Sequence, residues 1–437
     1  MTLLIISPDY ASHLYPLATL GTAWAKAGDR VVVASGPATA GIVADFGFER
    51  ENLQLGRGSN PGTIRAEQQP VGEDDALRGF FDATRRGMVE TLRFQAEARS
   101  SDLLYNPVAI AREVQQIVAR VQPDHVIVDH LAFSARLGLL SAQIAHADVV
   151  LGHPSALPVG AEVYGFPPAW PAVFTPDPRD LTLLQRQCEA VRDSFTRQWN
   201  DALLELDPQA TPSRDAFQES GDVLLLNYPE ELHAPSRASF LPAHVFLGSA
   251  VRPEALDRDV EDWIAAGSMP IVYVSFGSFL SVRSDVLTRV AAALRGLPVR
   301  VAVAIGASDP ATLGRIPDEW LVRGFLPQVR LLQVAVLAVT HGGNNSVTEA
   351  MTAGVPLVVL PFSTDQFAGA AALDSAGFGE SLAPNTATVV DLREACERML
   401  TLSGNPLGRL NALSVALTQR SGATRAYDAL ATVLSRS

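Results

Sequence analysis

Cysteine is almost absent. Only Cys188 and Cys396 occur in 437 residues, far apart and without partner spacing, which argues against a disulfide framework or a cysteine-rich zinc site. No apolar run approaches the roughly 18 residues a membrane-spanning helix needs. The opening MTLLIISPDY has no basic segment, and its apolar stretch is too short for a secretory signal, so a cytoplasmic chain is expected. Basic residues are in deficit, 34 against 47 acidic, for a net charge of −13. A sequence-independent grip on phosphate backbones needs the opposite balance, and no nucleic-acid partner is expected. Neither GxGxxG nor GxxxxGK[ST] is present, so the two commonest glycine-rich phosphate loops are missing.

What is present is a large apolar content, 47% of residues, in a length that suits two or three domains. LLIIS reads as a buried strand, LATLGTAWAKAG as a helix and RVVVAS as the next strand. That alternation implies a parallel sheet with its working loops at the carboxyl ends of the strands. Residues 50–75 read as a polar loop, and HVIVD as a further strand ending in Asp129. The proline-rich PSALPVGAEVYGFPPAWPAVFTPDP is expected to be an extended loop, followed by a long helix and the strand DVLLLN. The second half restarts the pattern with PIVYVSFGS, a helix opened by Ser284, and strands in VRVAVAIG, LVRGFL, LAVTHGG and VPLVVLP. The expected division is 1–240, 241–419 and a final segment 420–437.

The run LAVTHGGNNSVTEAMTAGVPLVVLPFSTDQ carries the most chemistry. A strand leads through Gly342 and Gly343 into a helix whose first residues are Asn344, Asn345 and Ser346. Unpaired N–H groups and the positive end of the helix dipole favour an anion there, and His341 stands beside them. Ser346 and Glu349 also have the spacing of a capping box, which would need only a local helix start.

The same run, HGGNNSVTEAMTAGVPLVVLPFSTDQ, closely resembles the nucleotide-sugar signature of family 1 glycosyltransferases. SHLYPLATLGTAWAKAGDRV, LLLNYPEEL, VYVSFGS and GFLPQVRLL agree in the same order, so the resemblance spans most of the chain. It implies the α/β GT-B fold: two facing Rossmann-like domains, with a C-terminal helix crossing back to the first. It also implies transfer of a sugar from a nucleotide diphosphate to a small acceptor with inversion, UDP-sugar being favoured over dTDP-sugar. Carried over by position, His341 and the backbone of Gly343, Asn344, Asn345 and Ser346 would hold the diphosphate, with Ser278 approaching it. Glu349 would accept from the ribose hydroxyls, Gln328 would lie at the base edge, and Asp365 and Gln366 would bind the transferred sugar. Two positions depart from the common pattern: Phe325 stands where many members have Trp, and Gly369 where many have Asn. No cofactor and no metal ion is expected, for want of an Asp-x-Asp motif to hold a cation.

His13 suits a catalytic base because imidazole titrates near neutrality. The resemblance gives it that role in the first loop, steadied by Asp129. The acceptor side is thinner. Phe81, Phe133, Tyr164, Phe166 and Trp170 could wall an apolar pocket for a lipophilic natural product, or could equally be core. His125, His130, His146, His153, His233 and His244 have no assigned role, a structural one being preferred for His153. Two other classes remain open: a nucleotide-sugar epimerase on the same fold, and a non-catalytic auxiliary homologue.

Overall fold

The computed structural model describes residues 1–60, 73–277, 283–306 and 308–433, apart from the side chains of 73–77, 100–102 and 433. Two all-parallel sheets carry the structure. The first holds β1 (Thr2–Ile6), β2 (Arg30–Ser35), β3 (Glu49–Asn52), β4 (His125–Asp129), β5 (Ala147–Val150), β6 (Val223–Leu226) and β7 (His244–Phe246) in the order β3-β2-β1-β4-β5-β6-β7. The second holds β8 (Ile271–Ser275), β9 (Arg300–Ala304), β10 (Leu321–Arg323), β11 (Ala335–Thr340), β12 (Leu357–Val359) and β13 (Gly379–Ser381) in the order β10-β9-β8-β11-β12-β13.

Both sheets are covered on both faces, which is why their strands read as unbroken apolar runs. Along β1, Leu3 and Ile5 join one buried cluster with Leu14, Leu17 and Trp24 of the first helix, Ala11–Lys26. Leu4 and Ile6 point to the opposite face, against Val114 and Ile117. Each such side chain, fully enclosed, favours the fold by about 1.5–3 kcal/mol. Strand order reverses between β1 and β4 in one sheet and between β8 and β11 in the other. At such switch points neighbouring loops diverge, leaving a crevice beyond the carboxyl ends of the strands.

Two elements cross between the halves. The final helix, Gly422–Val433, returns to the first sheet, where Ala426 and Leu430 join its core and Tyr427 meets Trp24 edge-on at 5.0 Å. In the other direction, the helix Glu73–Arg86 places Phe81 in the core of the second sheet. Its end is held there by Asn385 Nδ2, which donates to the Thr84 carbonyl at 2.9 Å. The expected boundary at residue 240 is corrected: β7 pairs with β6, so the first sheet continues to Phe246. The long helix spans Pro178–Leu206, started by Asp177, whose carboxylate accepts the Arg179 N–H at 2.7 Å. The helix expected to open on Ser284 does so, spanning Ser284–Leu294 with Arg283 as its N-cap.

Candidate functional site

The first switch point holds an acid–base pair. His13 lies in the first turn of the helix after β1, not in the loop where it was expected, and Asp129 ends β4. His13 Nδ1 and Asp129 Oδ2 are 2.7 Å apart. Asp129 is wholly buried, while the His13 side chain is 26% exposed. The other carboxylate oxygen accepts the Leu131 N–H at 2.9 Å, which fixes the acid in place. Burial disfavours the imidazolium, but the charge and hydrogen bond of Asp129, with a smaller contribution from Asp365, outweigh it and raise the His13 pKa. Burial likewise works against an ionised Asp129, yet His13, His130 and the Leu131 N–H hold its pKa below the usual value. The pair is thus built to favour carboxylate and imidazolium together.

The second switch point holds an anion-compatible helix start. The helix Asn344–Ala353 follows β11, with Gly343 as its N-cap and no side chain covering its first N–H groups. The His341 ring fills the adjacent space so closely that a Cβ on Gly343 would stand 2.5 Å from Nε2. A Cβ on Gly277, after β8, would stand 3.0 Å from Cε1. The close approach favours glycine at position 343, and at position 277 the backbone φ of +70° does so as well. Burial lowers the His341 pKa to about 4, so the ring is neutral at ordinary pH, and its buried Nδ1 has no partner among the described residues.

Ser346 and Glu349 do not form a capping box, because the helix starts two residues before Ser346. Both turn to Gln328 instead. Gln328 Nε2 donates to Glu349 Oε2 at 2.6 Å, and Ser346 Oγ reaches Gln328 Oε1 at 3.4 Å. Burial raises the Glu349 pKa, against the opposing charge of Arg252 and the Gln328 hydrogen bond. Phe325, just upstream, is 67% exposed, an apolar ring open to stacking.

Side chains from the second half close against the first. Asn344 Nδ2 donates to the carbonyls of Leu151 at 2.6 Å and Asn227 at 2.8 Å. Asn345 Nδ2 donates to Ser12 O at 3.2 Å, one residue from His13. That carbonyl is available because Pro16, four residues on, lacks the N–H that would engage it within the helix. Asp365 Oδ2 accepts the His153 N–H at 2.6 Å. Gln366 turns into its own loop: Oε1 accepts from the Phe362 and Ser363 N–H groups and Nε2 donates to Ser363 Oγ.

Of the aromatic candidates, three fall on the core side of the two readings. Phe81 belongs to the core of the second sheet. Phe133 and Tyr164 are core residues of the first half, Tyr164 stacking on Phe217 at 3.9 Å and Phe133 meeting its edge at 5.7 Å. Phe166 and Trp170 are partly buried beside that cluster and meet edge-on at 6.4 Å. Ser278 lies outside the described residues. Asp257 and Asp259 do have Asp-x-Asp spacing, contrary to the expectation that no such motif is present. Both carboxylates pair with Arg323, at 3.1 and 2.9 Å, and Asp257 also caps the helix Arg258–Ala265. Among the described residues no cluster of three or more metal-ligating side chains forms, and no helix is long and apolar enough to cross a membrane.

Comparison with known proteins identifies the family and the fold. Residues 182–412, over half of the chain, match the UDP-glucoronosyl and UDP-glucosyl transferase family. The NDP-glycosyltransferase YjiC of Bacillus licheniformis is 26% identical over 250 residues, 56% of this chain and 62% of that protein. The oleandomycin glycosyltransferase of Streptomyces antibioticus is 30% identical over 218 residues, 45% of this chain and 50% of that protein. The chain thus matches about half to three-fifths of these relatives' lengths. Among solved structures, the glycosyltransferase of kitacinnamycin superposes with a TM-score of 0.69 at 20% identity, covering 99% of this chain and 98% of that one. A spinosyn rhamnosyltransferase complexed with thymidine diphosphate gives 0.66 at 19%, covering both chains fully. The fold is therefore GT-B, and the chain belongs to the UDP-glucoronosyl and UDP-glucosyl transferase family.

Proposed function

We propose that the protein is an inverting glycosyltransferase that moves a sugar from a nucleotide diphosphate to a hydroxyl of a small lipophilic acceptor. One observation carries this reading: the Asn345–Ser12 hydrogen bond brings the anion-compatible helix start beside His13, joining the two switch points. His13 Nε2 takes the acceptor proton as the acceptor oxygen bonds to the anomeric carbon and the bond to the diphosphate oxygen breaks. Asp129 orients the ring and stabilises the imidazolium. The helix start at Asn344–Ser346 and neutral His341 meet the charge gathering on the departing diphosphate, a fixed electrostatic environment needing no divalent ion. Glu349, held by Gln328, accepts from the ribose hydroxyls, which favours a UDP-sugar over a dTDP-sugar. Phe325 stacks on the base, and Asp365 contacts the sugar.

The test is transfer from a panel of UDP- and dTDP-sugars to phenolic and polyketide acceptors in excess chelator. Inversion would be read from the anomeric coupling constant of the product. His13→Ala should abolish turnover while leaving diphosphate affinity within about twofold. Turnover surviving in that variant, or retention at the anomeric carbon, contradicts the mechanism.

A further inference from the structure

The seam where the Asp365 loop meets the end of β5 contains hydrogen-bonding groups that the protein itself does not satisfy. Gly152 allows the approach, since a Cβ there would stand 2.6 Å from Asp365 Oδ2. Next to it, His153 Nδ1 accepts the Ser155 N–H at 3.1 Å, which places the ring proton on Nε2. Burial depresses the His153 pKa to about 3, so the ring is a neutral donor. Nε2 has no hydrogen-bond partner among the described residues. A Cβ built on Gly369 would meet His153 Cδ2 at 3.8 Å, an ordinary contact, and no other atom of the described residues beyond its own stretch of helix within 4 Å, so the missing side chain leaves room beside the ring.

Two further groups nearby are unsatisfied among the described residues. Tyr228, edge-on to the His153 ring at 4.8 Å, is 1% exposed, and its hydroxyl has no partner. Asn344 uses Nδ2 to join Leu151 and Asn227, the residues leading into this seam, and its buried Oδ1 has no partner. Native interiors rarely leave such groups unpaired, and an unpaired one points to a ligand or an ordered water.

We propose that His153 is a specificity-determining residue of the donor site, its Nε2–H hydrogen-bonding an oxygen of the transferred sugar in the space beside Gly369. The donor class that fits is a hexose retaining its hydroxyls rather than a deoxy sugar. A hydroxyl both donates and accepts, and so satisfies the seam directly or through one held water. A deoxy sugar would leave buried polar groups unpaired, the arrangement that discriminates most strongly between otherwise similar substrates.

This rests on the donor-site reading above, and the experiment separates the two. Affinities of the nucleoside diphosphate, its glucose ester and the matched 2-, 3-, 4- and 6-deoxyglucose esters are measured by calorimetry on wild type, His153→Phe and His153→Gln. The expected result is that at least one deoxy ester binds wild type about tenfold or more weakly than the glucose ester. That penalty should vanish in His153→Phe and persist in part in His153→Gln, whose amide keeps an N–H donor. Affinity for the diphosphate alone should be the same in all three. Deoxy esters binding wild type as well as the glucose ester, or a penalty unchanged in His153→Phe, overturns the proposal. If His153→Phe fails to fold, His153→Leu, which likewise lacks an N–H donor, carries the test, and an unchanged penalty there overturns the proposal. Wild type binding no diphosphate overturns the donor-site reading itself and the proposal with it.

Discussion

His13 and Asp129 meet at 2.7 Å although 116 residues separate them, because β1 and β4 are neighbours at the switch point of the first sheet. The carboxylate is fully buried and the imidazole is not, so the pair presents one titrating group to the crevice.

Asp129→Asn should lower kcat/KM by about 10²–10⁴, the scale of a positioned base with its orienting partner. The direction of the pH effect is fixed. Asp129 raises the His13 pKa, so removing its charge lets that pKa fall. The acidic limb of the pH–rate profile, where the base must lose its proton, should therefore move to lower pH. A limb that stays in place would remove Asp129 from the titration.

His341 should act as a neutral group. With its pKa pushed down to about 4 by burial, diphosphate affinity should show no titration of this histidine above about pH 5. His341→Ala should weaken diphosphate binding about tenfold, the scale of one lost hydrogen bond. Calorimetry across pH checks both, and an inflection near neutrality that disappears in the variant would contradict the neutral assignment.

Asn345→Ala removes the bond to Ser12 O while leaving the backbone of the helix start in place. kcat should fall about threefold to tenfold, with diphosphate affinity within about twofold. An equal loss in affinity would place this side chain on the diphosphate instead. Pro16→Ala should give a milder version of the same effect, because the new N–H competes for the Ser12 carbonyl.

Stability away from the site should depend on Arg136 and Asp148, both almost fully buried. Arg136 Nε donates to Asp148 Oδ1 at 3.1 Å and Nη1 to the His130 carbonyl at 3.0 Å. Arg136→Ala should destabilise the fold by about 3–5 kcal/mol, because it takes the guanidinium from the buried Asp148 carboxylate, which keeps the Gly221 N–H at 3.0 Å but loses its cation. The double variant Arg136→Met, Asp148→Leu should recover most of that loss in denaturant titration.

Local pattern placed most of the strands, though β3, β5, β7 and β13 went unread. HVIVD is β4 residue for residue, since valine and isoleucine between polar flanks leave little choice of register. The helix after β11 was also legible, start included, with Asn344, Asn345 and Ser346 as its first residues. What spacing could not decide was the role of Ser346 and Glu349, which have capping-box spacing but turn to Gln328 in the fold. Contacts between the halves left no local signal. Phe81 reads like any aromatic on a polar helix, and its place in the second core depends on how the halves meet. Pro16 was the exception: a proline inside a helix frees the carbonyl four residues back, here Ser12, and a partner for it could have been sought. β7 was not read as a strand, which set the expected boundary too early.

The central claim is that the helix start after β11 and His341 form a metal-independent diphosphate site. Calorimetric titration with UDP and, separately, dTDP in excess chelator tests it most directly, with His341→Ala as the comparison. The account predicts saturable binding of at least one nucleotide, tighter for UDP, and about tenfold weaker in the variant. Binding of neither nucleotide, or binding that appears only when a divalent cation is added, would contradict it.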